Sequence, residues 1–170
     1  MPEMERYTFN EFADLTARWL GLRKEAVVSI SGPSCIGKSV LAQILREKMH
    51  NTTVQVICMD NYLKSKYRGR AEYRNGSIDI LRPDAYDWEL LKMHLKCLKQ
   101  NQMVTYDIYQ RGIGWGEEDR LYPGRIVILE GLFLDSVQAL ECINPDLLIQ
   151  IYANDEFIRS LRIRRDEFYR

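Results

Sequence analysis

The sequence has no surplus of charge of either sign: Lys plus Arg and Asp plus Glu both number 24, so the formal net charge is zero. Non-specific nucleic-acid binding rests on a broad basic field, and this chain has none. Long apolar runs are missing too, the longest falling far short of the roughly 18 residues that a bilayer span requires. The opening residues MPEMERYTF have neither the apolar core nor the cleavage pattern of a secretory leader, and the chain reads as cytoplasmic with no membrane partner. Cysteine is sparse. Cys35, Cys58, Cys97 and Cys142 contain no C-x-x-C pair, which argues against structural zinc or a dithiol centre and for reduced thiols used as small apolar residues. Internal repeats and low-complexity stretches are also absent. What is present, 46% hydrophobic and 28% charged residues over 170 positions, suits a single globular domain spanning 1–170 with a proper core.

Periodicity divides the chain into alternating elements. Thr8-Phe9-Asn10-Glu11 reads as a capping box, and Phe9, Phe12, Leu15 and Trp19 recur at near-helical spacing, predicting an amphipathic helix over about 8–20 that Gly21 ends. AVVSIS (Ala26 to Ser31) has the β-branched, unalternating character of a strand buried on both faces. After it, Val40, Leu41, Ile44, Leu45 and Met49 mark one helical face. Further strands are expected over Val54 to Asp60, Arg125 to Gly131 and Leu147 to Tyr152. A helix capped by Asp87 buries Trp88, Leu91, Leu95 and Leu98; His94 falls on it, more simply as an ordinary satisfied imidazole than as a catalytic one. The charged stretch KSKYRGRAEYRNGS reads as a loop, and Met103 to Tyr122, with Gly112, Gly114 and Gly116, as an irregular hairpin. A last helix from about 154 to 170 carries Arg159, Arg162, Arg164 and Arg165. Strands alternating with helices imply an α/β fold, a parallel sheet covered by helices on both faces, with ligands gathered beyond the strand C-terminal ends.

The stretch SGPSCIGKSV, Ser31 to Val40, joins the first strand to the helix after it and fits G-x-x-x-x-G-K-[ST]. In such a loop the backbone amides of Gly32, Pro33, Ser34, Cys35, Ile36 and Gly37, proline contributing only its fixed turn, converge on a phosphate chain, and the following helix through Val40 adds its positive end. Lys38 is placed to reach the outer phosphates, and the Ser39 hydroxyl to ligate Mg²⁺. Glu130, at the end of IVIL, is a candidate magnesium carboxylate, the alternative being a solvated strand end. Asp60 is a candidate general base facing the γ-phosphate; a turn cap is its alternative. Arg162 and Arg165, three apart, share a helix face and could act as a lid over phosphates, unless they are a solvated basic face.

In order along the chain, SGPSCIGKS, MDNYLK (Met59 to Lys64), RPDAYDWELL (Arg82 to Leu91), VILEGLF (Val127 to Phe133) and IRRDEF (Ile163 to Phe168) resemble the phosphoribulokinase and uridine kinase family of P-loop kinases over roughly 25–170. The resemblance implies a mononucleotide-kinase-like P-loop NTPase sheet, ATP or GTP with Mg²⁺ as donor, and phosphorylation of a hydroxyl on a small molecule, most naturally a nucleoside. It makes Asp60 the base, Glu130 a magnesium-associated carboxylate and Arg162 and Arg165 lid arginines, and it places Tyr62, Asp84, Tyr109 and Arg111 on the acceptor side. Uridine kinases read Asn-Phe-Asp-His-Pro-Asp-Ala-Phe where this chain has Asp79-Ile80-Leu81-Arg82-Pro83-Asp84-Ala85-Tyr86. Their ribose-binding aspartate thus falls on Leu81, which makes uridine and cytidine poor acceptors unless Asp79 or Asp84 takes its place. The base-contacting histidine expected after Tyr109 is also lacking, and Arg82 and Arg111 would suit an anionic acceptor. A sugar phosphate or vitamin-like alcohol as acceptor, and a nucleotide-binding regulatory module without kinase activity, are the alternatives; homo-oligomers are compatible with either. Related kinases continue past the Arg-Arg-Asp element with a further strand and helix.

Overall fold

All six residues of the first strand, β1 (Ala26–Ser31), are buried, and the rest of the chain is arranged to bury them. The computed structural model describes residues 7–64, 82–110 and 114–168. Around β1 it places α1 (Phe9–Gly21), α2 (Lys38–Lys48), β2 (Val54–Cys58), α3 (Trp88–Lys99), β3 (Val104–Gln110), β4 (Gly114–Leu121), β5 (Ile126–Gly131), α4 (Val137–Ile143), β6 (Leu147–Gln150) and α5 (Asp155–Phe168). Strands β2, β5, β1 and β6 form one sheet in that order. Every pairing is parallel, with Ser31 opposite both Gly131 and Gln150, and Cys58 opposite Glu130. All four C-terminal ends therefore open at one pole.

Period-two alternation splits the core into two layers. Val28, Ile30, Ile126, Ile128 and Ile149 meet Ala13 and Leu20 of α1 and Leu41, Ala42 and Leu45 of α2. On the other face Val27, Val127 and Leu129 pack with Leu91, Leu95 and Leu98 of α3 and Ala139 and Ile143 of α4. β3 and β4 stand apart as an antiparallel hairpin with a register shift between Ile108 and Tyr109.

The capping box forms as the sequence implies: the Glu11 amide donates to Thr8 Oγ1, and Glu11 Oε2 accepts from the Thr8 amide. The buried stripe of α1 is displaced, however. Ala13, Thr16 and Leu20 are buried, whereas Phe9 and Leu15 are 41% and 38% exposed: with 3.6 residues per turn Leu15 is turned away from the Ala13, Thr16 and Leu20 face, and Phe9 is the first residue of the helix. Thr16 is tolerated there because its hydroxyl donates to the Phe12 carbonyl. Val40 likewise leaves the expected face and is 58% exposed at the loop mouth. β2 stops at Cys58, so Asp60 sits in a short 3₁₀ turn, Met59–Tyr62, rather than on a strand. β5 and β6 are shorter than expected, and α4, capped by the Ser136 hydroxyl, was not anticipated.

His94 is an ordinary satisfied imidazole. It is buried, and its Nδ1 is hydrogen-bonded to Tyr62 Oη at 2.9 Å. Burial pushes its pKa below the usual 6.5, against a smaller opposing pull from the Asp87 carboxylate. The unfolded chain thus binds this proton before the folded one, so the associated stability is complete above about pH 6.5 and is lost as pH falls towards the lower folded value. Thermal melts between about pH 7.5 and 5 should fall more steeply for the natural chain than for His94→Gln, which keeps an acceptor for Tyr62 but does not titrate; equal slopes would contradict this assignment.

Candidate active site

The glycine loop begins where β1 ends. Gly32 has φ +151°, and a Cβ there would lie 2.5 Å from the Ile151 carbonyl oxygen, so only glycine lets the chain turn this close to the end of β6. Cys35 is a non-glycine residue at φ +73°, a strained conformation of the kind that accumulates at ligand-holding loops. The loop runs into α2 through Gly37, and no side chain caps the helix. Its first amides are left facing the loop, an arrangement suited to an anion. Lys38 opens the helix and is 8% exposed; its Nζ donates to the Pro33 carbonyl at 2.7 Å. Ser39 and Val40 are exposed beside it, and Pro33, Ser34 and Ile36 are half-buried.

Two acids converge on this lysine from other segments. Glu130, the penultimate residue of β5, is 6% exposed; Asp60 is half-buried in the turn after β2. Burial lowers the Lys38 pKa, while the Glu130 and then the Asp60 carboxylate pull it back up. The same two carboxylates, after burial itself, hold the Cys58 thiol well above its ordinary range, and that thiol is hydrogen-bonded to Glu130. A cation and two anions thus share a poorly hydrated floor. Gly131 makes their proximity feasible. A Cβ on Gly131 would lie 2.4 Å from Met59 Cβ, so its hydrogen is what allows the Asp60 turn to rest on the end of β5.

On the acceptor side the expected residues separate. Tyr62 is fully buried, bonded to His94 and stacked on Tyr106 with ring centroids 6.4 Å apart; it anchors the turn and offers nothing to a ligand. Tyr109 is half-buried, its ring 5.4 Å from that of Trp115 and its amide donating to Asn61 Oδ1 at 2.8 Å. Asn61, which sequence reasoning passed over, therefore ties the hairpin to the Asp60 turn. Asp84 lies on the exposed surface in a two-point ion pair with Arg82, which lowers its pKa; the expected move into a ribose site would break that pair. Leu81, Asp79, Arg111 and most of KSKYRGRAEYRNGS lie outside the described residues.

The C-terminal helix reaches back over the loop. Asn154 Oδ1 accepts from the Phe157 amide at the start of α5, and one face later Arg165 Nη1 donates to Ser34 Oγ at 2.7 Å. Arg162 is exposed on the same helix. A separate cleft of about 580 Å³ opens at the opposite end of the sheet, between Ala26, Thr53 and Leu98, far in the topology from these groups.

A phosphate-type loop after β1, the buried Glu130 at the end of the adjacent β5, the half-buried Asp60 in the turn after β2 and an arginine-bearing helix reaching the loop define a P-loop kinase domain. The model of the phosphoribulokinase / uridine kinase family matches residues 27–170, and the chain belongs to that family. It is 33% identical over 147 residues to a uridine kinase of Mycoplasma genitalium, covering 84% of this chain and 68% of that protein. It is 30% identical over 178 residues to a uridine kinase of Schizosaccharomyces pombe, covering 100% of this chain and 37% of the relative. The chain thus spans two thirds of one relative's length and little more than a third of the other's. A solved structure described as a possible uridine kinase from Bacillus stearothermophilus superposes with a TM-score of 0.67 at 20% identity, over 92% of this chain and 89% of that one, a likeness of fold.

The contact between Gly131 and Met59 yields a test. Gly131→Ala should destabilise the protein by about 1–3 kcal/mol, the usual cost of overpacking, and Met59→Ala should also destabilise it alone. Combined, the two changes should cost clearly less than their sum in denaturant melts, since each relieves the other's defect; strict additivity would show that the Asp60 turn does not rest on Gly131.

Proposed function

We propose that the protein transfers the γ-phosphoryl group of ATP, with GTP as the alternative donor, to a hydroxyl of a nucleoside in the cytoplasm. The observation that carries this reading is the meeting of Lys38, Glu130 and Asp60, drawn from three separate segments, at the pole where the glycine loop opens. Binding a nucleotide alone needs no second carboxylate-bearing segment beside the lysine. The names of the uridine kinase relatives support a nucleoside as acceptor.

In this reading the loop amides and the first turn of α2 hold the β- and γ-phosphates. Lys38 exchanges the Pro33 carbonyl for phosphate oxygens, regaining the charge partners that burial denies it. Asp60 accepts the proton of the acceptor hydroxyl as its oxygen bonds to the γ-phosphorus, and the bond from that phosphorus to the β–γ bridging oxygen breaks, releasing the nucleoside diphosphate. Arg165, already seated on the loop through Ser34, and Arg162 stabilise the charge spread over the transferring group.

The residues present fit Mg²⁺. Glu130 offers a buried carboxylate and Ser39 an accessible hydroxyl, and magnesium commonly takes only one or two protein carboxylates with phosphates and waters completing its shell. No group of three or more His, Cys, Asp or Glu side chains arranged for a metal occurs among the described residues, which accords with an ion held jointly with the nucleotide. Held by Glu130 and Ser39, it would offset the negative charge of the phosphates.

Two variants separate donor binding from chemistry. Lys38→Ala should remove most Mg-ATP affinity in a calorimetric titration of the folded protein. Asp60→Asn should keep that affinity within a few-fold while turnover falls by about 10²-fold or more, the scale of lost general-base assistance. An acceptor panel of nucleosides, sugar phosphates and simple alcohols assigns the substrate class. Unchanged turnover in Asp60→Asn, or transfer only to sugar phosphates, would overturn the proposal at the base and at the acceptor respectively.

A further inference from the structure

We infer that Asp135 is a positioning residue for the phosphate loop, tying the loop's root to the ends of the two strands beside it; the inference rests on the nucleotide reading of that loop. Ser31 is the last residue of β1 and immediately precedes Gly32. Its side chain is 1% exposed, and its Oγ donates to Asp135 Oδ1 at 2.6 Å. Gln150, the last residue of β6, donates through Nε2 to Asp135 Oδ2 at 2.8 Å. Asp135 itself follows β5. One carboxylate thus joins the C-terminal ends of three strands at the point where the loop begins, each oxygen serving a different strand. The Ser31 carbonyl is held as well, accepting from the Ile151 amide at 2.9 Å.

The chain reaches this position by an unfavourable route. After β5 it turns through Phe133, which adopts φ +61°, a left-handed conformation that a side chain disfavours. The turn closes with the Ser136 amide donating to the Phe133 carbonyl at 2.9 Å, the Phe133 ring stands edge-on to Tyr86 at 6.2 Å, and Leu134 is fully buried. The result is that the carboxylate of Asp135, an exposed residue, reaches the Ser31 hydroxyl at the root of the loop. Burial does not by itself recruit such a partner: Ser29, two residues earlier on the same face of β1, is just as buried and its hydroxyl has none among the described residues.

A role in the charge balance of the site does not account for Asp135. The carboxylates that pull on Lys38 are Glu130 and Asp60. Burial alone would raise the Asp135 pKa, but the hydrogen bonds from Ser31 and Gln150 more than offset it and leave it below its usual value, so the carboxylate persists as a double acceptor. Its effect passes through Ser31 to Gly32, whose backbone lies too close to Ile151 to shift freely. Loop amides must converge on phosphate oxygens, and displacements near 1 Å are enough to spoil such convergence.

The test compares the natural chain with Asp135→Ala, Asp135→Asn, Ser31→Ala and the Ser31→Ala/Asp135→Ala pair. Two readouts are followed: amide hydrogen exchange over 31–38 without ligand, and Mg-ATP titration. Asp135→Ala should speed exchange in that segment by about tenfold or more while β2 and the interior of β5 stay protected. It should weaken Mg-ATP by about ten- to a hundredfold with the acceptor KM within about twofold. Asp135→Asn, which still offers an oxygen to Ser31, should fall between, and the double variant should be no worse than Asp135→Ala. A lowered melting temperature with natural loop exchange and natural Mg-ATP affinity would overturn the inference and leave Asp135 a structural tie. A natural chain that binds no Mg-ATP would overturn the nucleotide reading instead, with loop exchange still deciding whether Asp135 positions the loop.

Discussion

β1 is buried on both faces and hydrogen-bonded along both edges, to β5 over its whole length and to β6 over its last four residues. Its neighbours are parallel, so they are reached through crossovers, and those crossovers supply helices that cover the sheet. The covering helices are α1 and α2 on one side and α3 and α4 on the other. The strand ends converge as well. Because all four strands run the same way, the segments that leave them share one pole, and groups far apart in sequence meet there without any element being specialised to bring them together.

At that pole the governing effect is loss of hydration. Burial acts most strongly on Lys38, and the two carboxylates near it only partly offset the cost. An ammonium in this condition gains from any multiply charged anion that enters, as does an α-helix whose first turn lacks a cap. Holding the acids close without collapse depends on small contacts: the missing Cβ of Gly131 against Met59, the Asn61 amide oxygen on the Tyr109 backbone, and Tyr62 locked to His94. These fix the acid-bearing turn against the sheet and the hairpin while leaving Asp60 at the surface of the site.

The sequence made the glycine loop, the parallel α/β architecture and the arginine helix legible, because each has a strong local pattern: G-x-x-x-x-G-K-S between an apolar run and a helical one, and arginines at three-residue spacing. The capping box at Thr8 and the cap at Asp87 formed for the same reason. Contacts between segments were not legible. Tyr62 sat in a family motif and read as an acceptor residue, yet its partners are His94 on α3 and Tyr106 on β3. Asp84 looked available until its pair with Arg82 was visible. Asn61 and Gly131 sit inside the MDNYLK and VILEGLF motifs without a role being readable there, and Asp135 carries no local signature, since their importance lies in what the fold sets opposite them. α4 escaped because seven residues, VQALECI, give too short a period to separate from loop; only Ser136 before it hinted at a helix start.

The account's central claim is that this pole is a preformed phosphate site closed by the C-terminal helix. A crystal structure of the protein with a non-hydrolysable ATP analogue and Mg²⁺ tests it most directly. The account predicts the phosphate chain lying along Gly32 to Ser39, Lys38 Nζ moved from the Pro33 carbonyl to phosphate oxygens, and Arg165 transferred from Ser34 to the same group, with the β1–β5–β6 ends unmoved. A nucleotide bound in the cleft at the opposite end of the sheet, or a glycine loop left as it is with Lys38 still on Pro33, would contradict it.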